Sequence, residues 1–590
     1  MINQTAEKAT PEKTRSCRPV KRNILITSAL HYVTNIPRLG TISGCVGSAD
    51  VYARYCRLRG YIVICICGTD EYRTATETKA KDENCTPQKI CDKYHEIHKQ
   101  VYEWFDISFD KFGRTSTPQH TEICQSIFKK LMENGYFSEN TTQQCDKCGK
   151  LLNPTELKDP RCKCSAFEIS YFLPLLKGKL DEFINDHSVA GSWSLNAIQT
   201  TYALVREGLK SHCTTRDLKW GVPVPLENFE DKVFHVWFDA PIGYISITSC
   251  YMPDWEKWWK NRENVELYQF MDKDNVPFHT VMFPCMLLGT GENWTLMKSI
   301  SVTEYMMHET GKFSKSRGIR IFSNDVQETN IPSEVWRYYL LANRPEVVLG
   351  YYLIICFLNH DWVRDTFFMW ADLQVKLKAE LLNNLGNFIN RVLSFIAKPQ
   401  GQGYGSIIPD GSGAESHSLT KILAERIGIY VDQYIEAMEK VKLKQALKIA
   451  MSVSSEGNAY LQESKFWRLY KQDQASCSLV IKTSAGLIYL LACLLEPFMP
   501  SFSLKVLKQL NLPTENQFSL CDKDVERARK PWEILPAGHK IGTPEPSFKE
   551  LKDEDVEFFR KKFFGSQAER VAKGEAEAKK MAEILDETKN

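Results

Sequence analysis

Residues 24–30, ILITSAL, form a short apolar run. The next stretch, GCVGSADVYARYCRLRG (44–60), has helical spacing instead. Val46, Ala49, Ala53 and Tyr55–Cys56 fall on one face, and Gly60 is placed to end the helix. YIVICIC (61–67) then reads as a buried strand running into a loop that carries Asp70 and Glu71. Strand, helix, strand is a βαβ unit, which predicts a parallel sheet with ligand sites at the carboxyl ends of its strands. Residues 113–230 have mixed polarity, turn residues and a cysteine cluster, and read as an insertion. Strand-like apolar character returns at 231–250, and 268–289 predicts a further strand, a loop and a helix near 284–289. From 372 to 545 the period changes. Leu381, Leu385, Phe388–Ile389, Val392 and Phe395–Ile396 recur at steps of three and four, the mark of an amphipathic helix. Residues 421–461 and 479–500 supply more helices, with a Gly/Pro-rich loop at 401–413.

Composition narrows the class. A chain of 590 residues exceeds what a single core supports, so several domains are expected. Net charge is only +2, so any nucleic-acid footprint must be local. The first twenty residues are polar and basic, without the apolar centre of a signal peptide, and read as a flexible arm. Nineteen cysteines, many single within apolar runs, read as buried reduced thiols, which favours a cytoplasmic protein. The unbroken apolar run 347–358 falls short of the about 20 residues a membrane span needs, so no membrane is expected as a partner.

Several constellations can carry chemistry. KFSKS (312–316) sets Lys312 and Lys315 beside Ser314 and Ser316 between flanking glycines, which suits a phosphate chain or, equally, a solvated basic loop. Tyr32, Trp237, Tyr244 and His279 fall at expected strand ends, where together they would form an apolar pocket with a few polar handles. Asp50 can meet a ligand ammonium or cap local structure. Cys145 and Cys148, followed by Cys162 and Cys164, suit tetrahedral zinc, although the second pair is tight; free thiols in a decayed site are the alternative. Asn387 and Arg391 share a helix face. Trp467, followed by Arg468 and Lys471, can stack a nucleobase or simply belong to the core.

Taken in order, GTDEY (68–72), TETKA, RDLKWGVPVPLE (216–227), VWFDAPIGY (236–244), DNVPFH (274–279), GKFSKSRG, ELLNNLGNFINR and LLEPFMP resemble the class I aminoacyl-tRNA synthetases, specifically the cytosolic eukaryotic methionyl-tRNA synthetase family. The likeness covers roughly residues 21–545. It implies an α/β fold: a split Rossmann-type parallel-sheet catalytic domain, an inserted connective module with a zinc knuckle, and an all-α anticodon-binding bundle. The expected boundaries are a basic arm at 1–20, catalytic halves at 21–112 and 231–300, and the insertion at 113–230. The lysine loop and stem-contact region follow at 301–371, the bundle at 372–545 and a charged tail at 546–590.

The implied reaction is ATP-dependent activation of L-methionine to methionyl-adenylate, then transfer to initiator and elongator methionine tRNAs. Ala29, Leu30, Tyr32, Asp50, Trp237, Ala240, Pro241, Tyr244 and His279 would form the methionine pocket, with Asp50 near the ammonium. Gly40, Lys312, Ser314, Lys315 and Ser316 would bind ATP with its Mg²⁺, and Asn387, Arg391 and Trp467 would read the anticodon. Structural zinc and a multi-synthetase complex are further expectations.

Departures accompany the likeness. The family's Pro-Tyr-x-Asn and His-Leu-Gly-His/Asn are here His31-Tyr32-Val33-Thr34 and Arg38-Leu39-Gly40-Thr41, so Arg38 and Thr41 stand at the catalytic signature. Arg73 replaces an expected glycine, and 347–364 has no counterpart. Two readings stay open: a methionine–tRNA ligase, or a weakened or inactive paralogue acting as a tRNA-binding scaffold.

Overall fold

The structure is a computed structural model that describes residues 21–143, 165–171, 173–308, 323–346, 366–513 and 518–563. Strand β1 (Asn23–Ser28), helix α1 (Gly47–Leu58) and strand β2 (Ile62–Asp70) form the first βαβ unit. β3 (Lys111–Arg114) pairs with β2, and an antiparallel hairpin of β4 (Phe137–Gln143) and β5 (Ser165–Tyr171) stands apart. After helix α2 (Val236–Tyr251), β6 (Val265–Asp272) and β7 (Met297–Thr303) return to the sheet. The order β7–β6–β1–β2–β3 is parallel throughout, and the short strand His31–Tyr32 pairs with the end of β2. The chain leaves β1 towards β2 and β3, then comes back on its other side through β6. The switch point therefore lies between β1 and β6, where such sheets open a crevice at the strand ends.

Side chains alternate across the pleat. Ile24 and Ile26 of β1 face one core, while Leu25 faces another with Ile64 and Ile66 of β2. The second core includes Phe238, Ile242 and Ile245 of α2. Residues 231–250 are thus corrected from the strand-like reading: only Val233–Phe234 is extended, and α2 follows. This helix is apolar on nearly every side because it is buried all round, so neither period stands out in its sequence. It approaches the sheet closely because Gly68 and Gly113 lie opposite each other. A Cβ at Gly113 would come within 2.7 Å of Ile247 on α2, and one at Gly68 within 2.4 Å of the Gly113 carbonyl.

The first core continues from the sheet into a helical region. There α3 (Ser333–Ala342), α4 (Asn387–Ala397), α5 (Ser418–Glu439), α6 (Leu443–Ser464), α7 (Phe466–Gln472) and α8 (Gln474–Leu495) pack around Leu385, Tyr434 and Leu491. Helix α8 is long and apolar enough to cross a membrane by composition, but 83% of that stretch is buried in the protein.

Polar groups cross the same junction. Asp50 on α1 is fully buried, and its carboxylate accepts from Arg54 at 2.9 Å, Arg337 of α3 at 2.8 Å and the Ser108 N–H at 3.0 Å. Arg337 also donates to the carbonyls of Pro497 and Phe498 at 2.8 Å, and Arg54 to Glu496 at 2.8 Å, all just beyond α8. Burial alone would push the Asp50 carboxyl up. The charges of Arg54 and Arg337 outweigh it and hold the group below its ordinary range. Its contribution to stability is present above about pH 4 and lost as pH falls through the lowered native value. Asp50→Asn leaves two buried guanidinium groups short of their counter-ion. It is expected to cost about 3–5 kcal/mol of stability, read by urea denaturation at pH 7.

Candidate active site

The carboxyl ends of β1, β2 and β6 surround a cavity of about 40 Å³ against α2. Leu30, Tyr32, Trp237, Ala240, Pro241, Tyr244 and His279, all expected here, line it together with Asp70, Arg73, Val236, Asn275 and Phe278. Ala29 lies beside the wall, with its N–H bonded to the Phe270 carbonyl at 2.9 Å.

The far wall is electrically quiet. His279 Nδ1 lies 2.8 Å from the Asn275 carbonyl, which can only accept, so Nδ1 carries the proton. Nε2 is then an acceptor and takes the Tyr244 hydroxyl at 2.8 Å. Burial pushes His279 down to about 4, so the ring is neutral at pH 7. Trp237 Nε1 donates to the Cys213 carbonyl at 2.8 Å, which fixes the indole as another wall. An uncharged thioether or alkyl chain suits such a lining.

Charge concentrates at the mouth. Asp70, at the end of β2, is only 2% exposed, and its Oδ2 accepts from Arg73 Nε at 2.9 Å. Arg73 lies over the Tyr32 ring, 3.2 Å from its centre. Glu71 beside them is bound by Arg114 at 2.8 Å, by Thr69 at 3.0 Å and by Ser116, which fixes the loop after β2. Burial pushes the carboxyl of Asp239, on α2, well above its ordinary range, and the nearby charge of Asp70 pushes the same way. The ammonium role expected of Asp50 is corrected here. Asp50 is committed to Arg54 and Arg337 outside the cavity, and the carboxylate that faces it is Asp70. The position of Asp70 at a strand's carboxyl end was the available signal.

Arg38 precedes the one-turn helix Leu39–Thr41, and its charge is felt by Asp272 at the end of β6. Gly40 lies against Met306, since a Cβ there would stand 3.6 Å from the Met306 nitrogen. The Ser323 N–H donates to the Pro37 carbonyl at 2.9 Å. Lys312, Ser314, Lys315 and Ser316 lie outside the described residues, but described chain on both sides of that segment meets the Pro37–Gly40 turn. Cys145, Cys148, Cys162 and Cys164 also lie outside, as does 347–364. Among the described residues no group of three His, Cys, Asp or Glu is arranged to hold a metal.

On the helical side, Asn387 and Arg391 of α4 line an open groove with Asn458 of α6. Arg391 lies 5.9 Å from the centre of the Phe466 ring. The next residue, Trp467, is 41% exposed and follows directly on the ring that Arg391 approaches. Lys465, with φ of 49°, makes the left-handed break between α6 and α7 that turns Trp467 outward.

Comparison with known proteins gives this geometry its family. A family model described as tRNA synthetases class I (M) matches residues 24–144 and 138–393, and one described as the anticodon binding domain of methionyl tRNA ligase matches 408–568. The chain belongs to the class I tRNA synthetases. Among relatives of this synthetase chain, a probable methionine–tRNA ligase of Oryza sativa subsp. japonica is 62% identical over 97% of this chain and 75% of its own length. The cytoplasmic methionine–tRNA ligase of Arabidopsis thaliana is also 62% identical, over 97% and 74%. The cytoplasmic human enzyme is 43% identical over 94% and 63%. A solved Mycobacterium tuberculosis methionyl-tRNA synthetase in complex with methionyl-adenylate shares the fold, with a TM-score of 0.72 at 20% identity, covering 89% of this chain and 99% of that one.

The protonation state of the synthetase pocket can be read directly. ¹⁵N-resolved spectra of His279 are expected to show the Nδ1–H tautomer at pH 7 and titration near pH 4. His31 is pushed down to about 3, and His98 and His120 to about 4, by the same burial. The unfolded chain takes up these protons first, so folding stability is expected to fall as pH drops from about 6.5 towards 4, measured by denaturant titration.

Proposed function

We propose that this chain is a cytoplasmic methionine–tRNA ligase. The observation that carries the reading is the cavity at the sheet's switch point. Its walls are neutral and apolar, and a single buried carboxylate, Asp70, faces it at the mouth, which suits an α-amino acid with an uncharged, flexible side chain. Methionine would enter with its thioether among Leu30, Trp237, Pro241 and Tyr244, and its ammonium at Asp70.

The chemistry is adenylate formation. The methionine carboxylate attacks the α-phosphorus of ATP, the bond to the β,γ-phosphates breaks, and pyrophosphate leaves. The protein's part is to place cations around the developing charge. Arg38, Gly40 and Thr41 at the turn, with Lys312, Ser314, Lys315 and Ser316, would hold the phosphates, and Mg²⁺ arrives with the nucleotide. The tRNA's terminal ribose hydroxyl then takes the methionyl group and AMP leaves. Asn387, Arg391 and Trp467 would recognise the anticodon of initiator and elongator methionine tRNAs, the tryptophan by stacking. Cys145, Cys148, Cys162 and Cys164 supply a thiolate set that would hold a structural zinc ion. No observation on the described residues favours the scaffold alternative.

Methionine-dependent ATP–pyrophosphate exchange is the test, and no exchange from the folded chain would sink the proposal. Lys315→Ala is expected to lower exchange about a hundred- to a thousandfold. Arg38→His with Thr41→Asn is expected to raise it at least about tenfold, since the planar, longer guanidinium cannot occupy a histidine's position. In aminoacylation assays, Trp467→Ala is expected to raise the KM for methionine tRNA roughly tenfold, the worth of one base stacked on an aromatic ring.

A further inference from the structure

The side chain of Arg73 occupies the mouth of the pocket. Its Nε donates to Asp70 Oδ2 at 2.9 Å, its guanidinium carbon lies 3.2 Å from the centre of the Tyr32 ring, and both partners line the cavity. Asp70 Oδ1 has no hydrogen-bond partner among the described residues, although the carboxylate is buried. With Arg73 in place the cavity is about 40 Å³. At roughly 10–15 Å³ of such volume per water, that is room for about three waters and not for an amino acid. Something must move before a substrate of that size can enter.

Arg73 is the group free to do so. It precedes the helix Thr74–Asp82 with φ of −127° and ψ of 147°, an extended backbone open to any residue. Its side chain is 29% exposed, so it can swing out into water. A second carboxyl, Asp239, stands near enough to feel the charge of Asp70. An empty pocket without Arg73 would leave the buried Asp70 carboxylate without the cation it is bonded to.

Resting on the methionine reading above, we propose that Arg73 is a built-in counter-ion that competes with the substrate's ammonium for Asp70. In the empty protein the guanidinium neutralises Asp70 and closes the mouth. Methionine binds by exchanging one cation for another: its ammonium takes Asp70 as Arg73 leaves. The net gain from the ammonium is therefore small, and Arg73 sets the affinity for the amino acid without touching the reacting atoms.

Equilibrium dialysis of the full chain with radiolabelled L-methionine tests this, with 3-(methylsulfanyl)propanoate as competitor. The competitor keeps the thioether and carboxylate but lacks the ammonium, so it too must displace Arg73 from the mouth yet brings no cation to Asp70 in exchange. In Arg73→Ala the Kd for methionine is expected to fall at least about tenfold, and that for the competitor by a similar factor, because both are relieved of displacing the guanidinium. Arg73→Lys retains a cation and is expected to keep the Kd for methionine within about threefold of the native value. A Kd for methionine in Arg73→Ala that is unchanged or weaker, or one in Arg73→Lys that falls as far as in Arg73→Ala, overturns the proposal while leaving the methionine pocket standing. Absence of methionine binding in the native and all variant chains overturns the pocket reading and the proposal together.

Discussion

The buried contact between Asp50 and two arginines is the constraint on which the architecture depends. Asp50 sits on the first helix of the parallel sheet, Arg337 on a helix beyond the last strand, and the carbonyls that Arg337 also binds lie at the end of the longest apolar helix of the bundle. A charge so fully removed from water is tolerable only when paired and hydrogen-bonded, so these elements must arrive together. Hydrophobic contact brings the sheet and bundle into proximity without direction. The guanidinium, with its fixed fork of donors, sets how they sit.

That contact also explains what the chain's pattern could and could not reveal. The first βαβ unit was legible because apolar runs and helical spacing alternate within some forty residues, all local. The residues of the apolar pocket wall were legible through their likeness to a known family, and the structure brings Leu30, Trp237, Tyr244 and His279 to one cavity. Asp50 was misplaced for a physical reason. One of its two arginine partners lies 287 residues away, and the other, four residues on, does not by itself distinguish a structural ion pair from a ligand site. Helix α2 was missed because complete burial erases the polar face by which a helix is recognised. Asp70 and Arg73 were both visible, but their pairing over Tyr32 depends on how the loop after β2 folds back.

The site combines two electrostatic regimes. Its depth is lined by groups whose possible charges are suppressed, His279 and Tyr244 both by burial. Its mouth keeps charges alive: Asp70, Arg73, and the Arg38 turn facing Asp272. Discrimination by shape thus belongs to the interior, and the handling of ionic groups to the rim. Met306 and Ser323 both meet the Pro37–Gly40 turn, which ties that turn to described chain beyond the last strand of the sheet.

The apolar core that runs without a break from Ile24 and Ile26 of the sheet to Leu385, Tyr434 and Leu491 of the bundle has a consequence for how the molecule comes apart. Neither portion has a complete surface of its own. Cutting the gene between them would give two fragments, each exposing the apolar face that the other covers, and proteolysis at the junction would release sticky halves rather than free domains. The groove around Asn387 and the pocket around Asp70 therefore belong to one cooperative body, and a wound to either is felt by both.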